Sequence, residues 1–307
     1  MHTAFVSHPA TLLHVMGDNH PESPARISAI RDRLISAQIL DHLQLHDAPL
    51  ATIEQLGRVH TPAYLRQIRE LAPLTGLVQL DADTVMGPST LPAALRAAGA
   101  VVLATDLVMS GQAPNAFCCI RPPGHHAARD RAGGFCIFNN VAVGVAHAMA
   151  AHGIQRAAIV DFDVHHGEGS EDIFRDIPQV MLCSTFQHPF YPHRGTESRS
   201  ERMVNVPLPA GTDGQAFRSA IEREFAPALE KFRPQMVFVS AGFDGHRDDP
   251  LASFNLIRSD YVWVTQFIMD IAHRYAEGRI VSALEGGYEL ISLADSVAAH
   301  VRTLADL

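Results

Sequence analysis

Three residues at alternating positions, Asp161, Asp163 and His165, close an apolar run that begins at Ala157. Period-two alternation puts the two carboxylates and the imidazole on one side of an extended chain, with Phe162 and Val164 on the other. Charged groups seldom crowd the end of a buried strand without partners, because desolvating them is costly. A carboxylate and an imidazole two residues apart are suited to sharing one metal ion. A catalytic zinc usually takes three protein ligands and keeps a position for water, so a further ligand is expected. Asp249, on the loop after the run Met236 to Val239, is the best candidate; Asp244 and Asp248 are rivals by chemistry alone, and spacing does not separate them.

Two histidines in tandem, His125-His126, follow the stiff turn Pro122-Pro123-Gly124. A lone histidine is more often a satisfied core or surface residue. A rigid lead-in and an acidic strand nearby suggest one general base and one electrostatic partner, each oriented by a carboxylate on its far nitrogen. Asp161 and Glu168 are available for that orientation. Gly286-Gly287-Tyr288 allows a tight backbone path and offers a phenol as an oxyanion donor. Taken alone, this string is more often a turn with a packed aromatic.

These residues need a frame that brings them together. Phe117 to Ile120, Ala157 to Phe162, Val180 to Cys183, Met236 to Val239 and Ile280 to Leu284 read as buried strands. Asn140 to His152, Asp213 to Phe232, Ser259 to Tyr275 and Leu290 to Leu304 have helical periodicity, several with a capping residue at the start. The alternation predicts an α/β fold with a mostly parallel sheet flanked by helices, in which ligands bind beyond the carboxyl ends of the strands. With 47% hydrophobic and 19% charged residues, no low-complexity tract and no linker, residues 1–307 are expected to form a single domain. The net charge of -9 and the absence of basic runs argue against nucleic acid. No signal-like start and no stretch near the length of a membrane span are apparent, so a cytoplasmic protein without a membrane role is expected. Cys118, Cys119, Cys136 and Cys183 read as reduced, buried thiols.

Together these motifs resemble the arginase-fold deacetylases, which comprise histone deacetylases, acetylpolyamine amidohydrolases and acetoin-utilisation proteins, and most closely a class II-like bacterial type. The resemblance runs through His20 to Arg26, Val59-His60 with Tyr64, Arg121 to His126, Gly133 to Cys136, Asp161 to Gly169, Ser240 to Leu251 and Glu285 to Tyr288. It implies a three-layer fold with the active site at the C-terminal ends of the strands. It also implies one zinc ion per chain on Asp163, His165 and Asp249. His126 would be general base and acid, His125 its electrostatic partner, and Tyr288 the oxyanion donor, with Asp161 and Glu168 behind the two histidines. An acyl tunnel walled by Phe135 and Tyr191, with Gly134 near the substrate and Arg26 lining an inner passage for acetate, follows from the same likeness. So does a structural potassium ion near Asp161, Asp163, His165, Ser184 and Thr185.

The implied reaction is hydrolysis of an acyl amide by a metal-activated water. Glu168 stands where many class II relatives have Asn, and is expected to raise the pKa of His126. Tyr191 replaces a tunnel Phe. Polyamine-selective relatives can carry an acid where this chain has Leu251, which favours an acyl-lysine peptide or protein over an acetylpolyamine or another small acylated amine. A guanidino-group hydrolase with two manganese ions, or a non-catalytic acyl-binding protein, are the other classes considered.

Overall fold

The apolar runs become the inner strands of one parallel sheet in the computed structural model, which describes residues 2–307. The strands are β1 (Ala4–Ser7), β2 (Gln44–Asp47), β3 (Val78–Gln79), β4 (Val85–Met86), β5 (Asn115–Cys118), β6 (Ala157–Asp161), β7 (Val180–Gln187), β8 (Met203–Leu208), β9 (Met236–Ala241) and β10 (Ile280–Leu284). Eight of them pair side by side in the order β2-β1-β5-β10-β9-β6-β7-β8, while β3 and β4 form a separate antiparallel pair. Every pairing in the large sheet is parallel.

Helices cover both faces: α1 (Ala25–Ser36), α2 (Ile53–Gly57), α3 (Pro62–Leu71), α4 (Thr90–Met109), α5 (Asn140–His152), α6 (Glu168–Phe174), α7 (Gly214–Phe232), α8 (Arg258–Tyr275) and α9 (Leu290–Leu304). Alternation along the strands divides the core in two. Ala157 and Ile159 of β6 pack with α4 and α5, and Ala158 and Val160 pack with α7, α8 and α9. The expected helices recur almost to the residue; Asp213 proves to be a cap, its side chain accepting from Ala216 N at 2.9 Å. All four cysteines are buried and free.

One expectation needs correcting. Thr90–Met109 is long and apolar enough, by length and composition, to cross a membrane. Here it is a core helix: Ala93, Ala94, Ala97, Ala98 and Val101 are buried, because small side chains let it lie close to the sheet and to α5.

The strand order explains how distant motifs meet. Arg121 to His126 follows β5, Glu285 to Tyr288 follows β10, Gly242 to Leu251 follows β9, and Asp163 to Glu168 follows β6, and these four strands are neighbours. Adjacent strands lie about 4.8 Å apart, so the loops leave the sheet within roughly 15 Å of one another.

Beneath this rim lies a buried ion cluster. Glu22, Arg26 and Arg121 have no exposed surface. Glu22 receives Arg121 Nε and, at 2.7 Å, its NH2, and receives Arg26 NH1 at 3.1 Å. Burial opposes the charge on Glu22, but Arg121 and the other cations outweigh it and hold its pKa down at about 2. A depressed carboxylate contributes stability above its unfolded pKa and loses it as pH falls through the folded value. Glu22→Gln should therefore destabilise the fold by roughly 3–5 kcal/mol at neutral pH, since two guanidiniums lose their counter-charge. In urea unfolding, the gap to the unaltered chain should close between about pH 4.5 and about 2. A gap that stays constant over that range would refute the ion-pair account.

Candidate active site

β6 stops at Asp161, so Asp163 and His165 do not continue the strand as alternation predicts. The carboxylates capture the chain instead: Asp161 Oδ1 accepts from Asp163 N at 3.1 Å, and Asp163 Oδ1 from His165 N at 2.9 Å. This turning is typical of aspartates that bind a backbone N–H two residues on. It still brings the group together. His165 Nδ1 lies 3.1 Å from Asp163 Oδ1 and 3.2 Å from Asp244 Oδ2, and Gly286 N donates to Asp163 Oδ2 at 2.9 Å.

One ligand atom each from Asp163, His165 and Asp244 falls within 4.8 Å of the others, a set suited to a divalent cation. Asp249, the expected third ligand, is not in that trio. It is buried beside it, with Oδ1 accepting from Leu251 N at 3.0 Å and Oδ2 from Tyr288 N at 2.6 Å and Glu289 N at 3.3 Å. Burial and the neighbouring Asp244 charge push Asp249 up to about 7. Asp248, the remaining rival, is half exposed on its side chain and pairs with Arg247.

The tandem histidines sit as the sequence suggests. His125 Nδ1 meets Asp161 Oδ2 at 2.9 Å, and His126 Nδ1 meets Glu168 Oε2 at 2.6 Å. Their electrostatics diverge. Burial works against a charged His125, but Asp161, Asp163 and Glu285 overcome it and hold its pKa well above the ordinary value. For His126, burial and the adjacent His125 charge outweigh Glu168, and its pKa falls. Glu168 does act to raise it, as expected, but its effect is outweighed, so the net shift is downward. A neutral imidazole at physiological pH is what a general base requires.

A cavity of roughly 230 Å³ opens above these groups, lined by Gly134, Phe135, Tyr191, Leu251 and Tyr288 together with His126 and His165. Tyr191 stands edge-on to His126 with centroids 5.1 Å apart, and Phe135 edge-on to Tyr288 at 5.9 Å. Arg26 is not among the lining residues. It donates to Gly287 O at 2.6 Å and Glu285 O at 2.5 Å and lies 5.1 Å from the Tyr288 ring, so it braces the Tyr288 loop from below. Of the residues expected around potassium, Ser184 pairs with Asp161 in register and bonds His166 Nδ1 at 3.0 Å, while Thr185 Oγ1 is buried without a partner.

Sequence reasoning missed three residues and left a fourth, Asp244, among the alternatives. Asp83 and Phe190 also line the cavity, Phe190 stacked on His165 at 5.5 Å. Asp244 was a rival rather than a member of the donor set. Glu285, fully buried, accepts from Gly124 N at 2.6 Å and His125 N at 3.2 Å and so clamps the turn that carries both histidines. Its place directly after a buried strand and before Gly286-Gly287 was the available signal.

Gly134 offers a test of this geometry. A Cβ there would lie 2.3 Å from His126 Cδ2, on a backbone already at φ +54°. Gly134→Ala should lower kcat by about a hundredfold by displacing the His126 ring, and should also lower the thermal midpoint because alanine is strained at this φ. Unchanged turnover would show that the His126 position is not critical.

Comparison with known proteins bears on these observations together. A family model described as the histone deacetylase domain matches residues 20–304. The chain is 39% identical over 276 residues to a histone deacetylase-like amidohydrolase of Pseudomonas aeruginosa, covering 88% of this chain and 72% of that protein. It is 34% identical over 298 residues to a probable deacetylase of Archaeoglobus fulgidus, covering 94% and 82%, and 36% identical over 301 residues to the human polyamine deacetylase HDAC10, covering 92% and 44%. The crystal structure of the HDA15 HD domain superposes with a TM-score of 0.91 at 31% identity, over 100% of this chain and 90% of that one. With its parallel eight-stranded sheet and its paired histidines, the chain belongs to the histone deacetylase family.

Proposed function

We propose that this chain hydrolyses acyl amides, removing an acetyl or related acyl group from a lysine side chain. The observation that carries the reading is the His126–Glu168 pair set beside the Asp163, His165 and Asp244 donor atoms at the base of one cavity. Asp163, His165 and Asp249 would hold one zinc ion, with Asp244 bracing His165. The donor chemistry fits, since an Asp163 carboxylate oxygen and a His165 ring nitrogen converge, the Asp249 carboxylate is buried close to Asp244, and no lysine or arginine pairs with these acids among the described residues. Bound there, zinc supplies Lewis acidity and lowers the pKa of a water from about 16 to about 7. Potassium is proposed near Asp161, Ser184 and Thr185, where the unpartnered Thr185 hydroxyl suits a hard cation.

The chain's own residues do the proton work. His126, neutral and aligned by Glu168, takes a proton from the attacking water and returns one to the departing amine. His125, held charged by Asp161, adds positive charge beside it. Tyr288 faces the cavity as a neutral phenol, because burial and nearby carboxylates keep its pKa well above the ordinary value, and it donates a hydrogen bond to the developing oxyanion. Phe135, Phe190 and Tyr191 exclude water from the acyl chain.

Leu251 at the cavity favours an acyl-lysine peptide. The carboxylate of Asp83 in the same lining supports a second reading, an acetylpolyamine whose further ammonium meets that acid. Acetyl-lysine peptides compared with acetylputrescine and acetylspermidine should show higher kcat/KM for the peptides; a reversed order would establish the polyamine reading. Tyr288→Phe should retain zinc and lose about a hundredfold to a thousandfold in kcat. Unchanged hydrolysis would remove the oxyanion role. Because Glu168 raises the His126 pKa, Glu168→Gln should move the acid limb of kcat/KM to lower pH. A shift to higher pH would contradict the assignment of His126 as base.

A further inference from the structure

Away from the crevice, another group of ligand-type side chains converges. Asp106 lies in the last turn of α4, and His147 and His152 lie on α5, which packs along it. Both histidines aim Nε2 at a single oxygen, Asp106 Oδ1, each at 2.7 Å. One ligand atom from each residue falls within 4.8 Å of the others. Since α4 leads into β5 and α5 into β6, the cluster sits where the strands begin, at the end of the sheet opposite the catalytic rim.

The surroundings favour a cation. Two helix C-termini meet here, for Asp106 is three residues from the end of α4 and His152 is the last residue of α5. The aligned peptide dipoles give such ends partial negative charge, to which Asp106 adds a full one. The nearby guanidinium of Arg58 is not on the carboxylate; it donates to the far nitrogen of His147 at 3.0 Å. Side-chain exposures of 47% for Asp106 and 24% for His152 leave a path for a hydrated ion and room for water in its open positions.

We propose that Asp106, His147 and His152 form a second divalent-cation site, of the class filled by zinc, nickel or cobalt, whose occupancy Arg58 opposes. The site is independent of the catalytic reading. Two imidazoles and a carboxylate suffice for these ions. Guanidinium has only donors, so His147 Nδ1 accepts from Arg58 and the ring proton resides on Nε2, the atom that an ion requires. Binding transfers that proton to Nδ1, leaving the ring neutral, and an N–H there faces Arg58 donor to donor. Arg58 then withdraws while keeping Glu54, to which its other nitrogen already donates at 3.0 Å. His152 undergoes the same exchange of tautomer, and the bound ion links α4 to α5.

Equilibrium dialysis of the full chain against zinc, with elemental analysis, tests the proposal. The unaltered chain should take two equivalents. His152→Ala and Asp106→Asn should each take one, with amide hydrolysis unchanged, and Arg58→Gln should bind the second equivalent several-fold more tightly. Cobalt titration of the unaltered chain gives a check that needs no variant: the second equivalent should broaden the ring resonances of His147 and His152. A single equivalent in the unaltered chain that is kept in the His152→Ala and Asp106→Asn double variant, two persisting in that variant, or cobalt leaving those resonances sharp would overturn the site. A second equivalent lost in Asp244→Asn but not in His152→Ala would place both ions in the crevice and overturn it equally. Arg58→Gln binding no more tightly would overturn the opposition by Arg58.

Discussion

Negative charge buried without a basic side chain against it is the constraint around which the catalytic end of this protein is built. Asp161, Asp163, Asp244 and Glu285 are almost wholly inaccessible, and among the described residues no lysine or arginine side chain bridges to any of them. Burial drives the pKa values of Asp161, Asp244 and Glu285 upward, the last to about 7. Asp163 alone is held low, where His125 and His165 outweigh the burial. Four acids thus compete for two imidazoles. Such a cluster is costly as it stands, and a divalent ion is the most compact way to offset it.

The backbone meets part of that cost. Gly286 N donates to Asp163 Oδ2, and a Cβ at Gly286 would fall 2.0 Å from Asp244 Oδ2, so only glycine lets the main chain pass this close to two acids. Glu285 fixes the opposite wall by holding the N–H groups of Gly124 and His125. Arg26 ties the carbonyls of Glu285 and Gly287 to Glu22, and Arg121 joins Glu22 to the start of the histidine turn. The position of Tyr288 is therefore set by a chain of buried polar contacts that begins in the first helix.

Much of the frame was legible because the inner strands are buried on both faces and read as continuous apolar runs. β6, β9 and β10 and the helices after β9 and β10 emerged nearly at their observed bounds, whereas the short α6 after β6 did not emerge. The first hundred residues were not legible in this way. β2 reads Gln-Leu-His-Asp, an edge strand with alternate residues exposed, and α4 is apolar on every side, which hides its helical period. In the site, charged and aromatic motifs marked the floor, yet local spacing misjudged how the chain leaves β6. Strand alternation was assumed where Asp161 and Asp163 instead bend the backbone. The sign of the His126 shift was out of reach as well, since it depends on full burial and on a charged His125 lying 4.0 Å away between ring centroids.

The mouth of the cavity is assembled differently from its floor, and this bears on selectivity. Floor residues follow adjacent strands and are fixed by sheet register. The mouth draws Asp83 from the turn between β3 and β4, Tyr191 from the segment joining β7 to β8, and Leu251 from the loop after β9. Asp83 is the one acid among them, but its Oδ1 already accepts from Gly134 N at 3.1 Å and Thr84 Oγ1 at 2.9 Å. Burial and the hydrogen bond with Asp81 raise its pKa. The anchored Asp83 carboxylate has part of its acceptor capacity already used, whereas Phe190, Tyr191 and Leu251 offer apolar surface along the rest of the wall. Charge and apolar surface at the mouth thus come from three separate loops, none of them fixed by the register of the sheet.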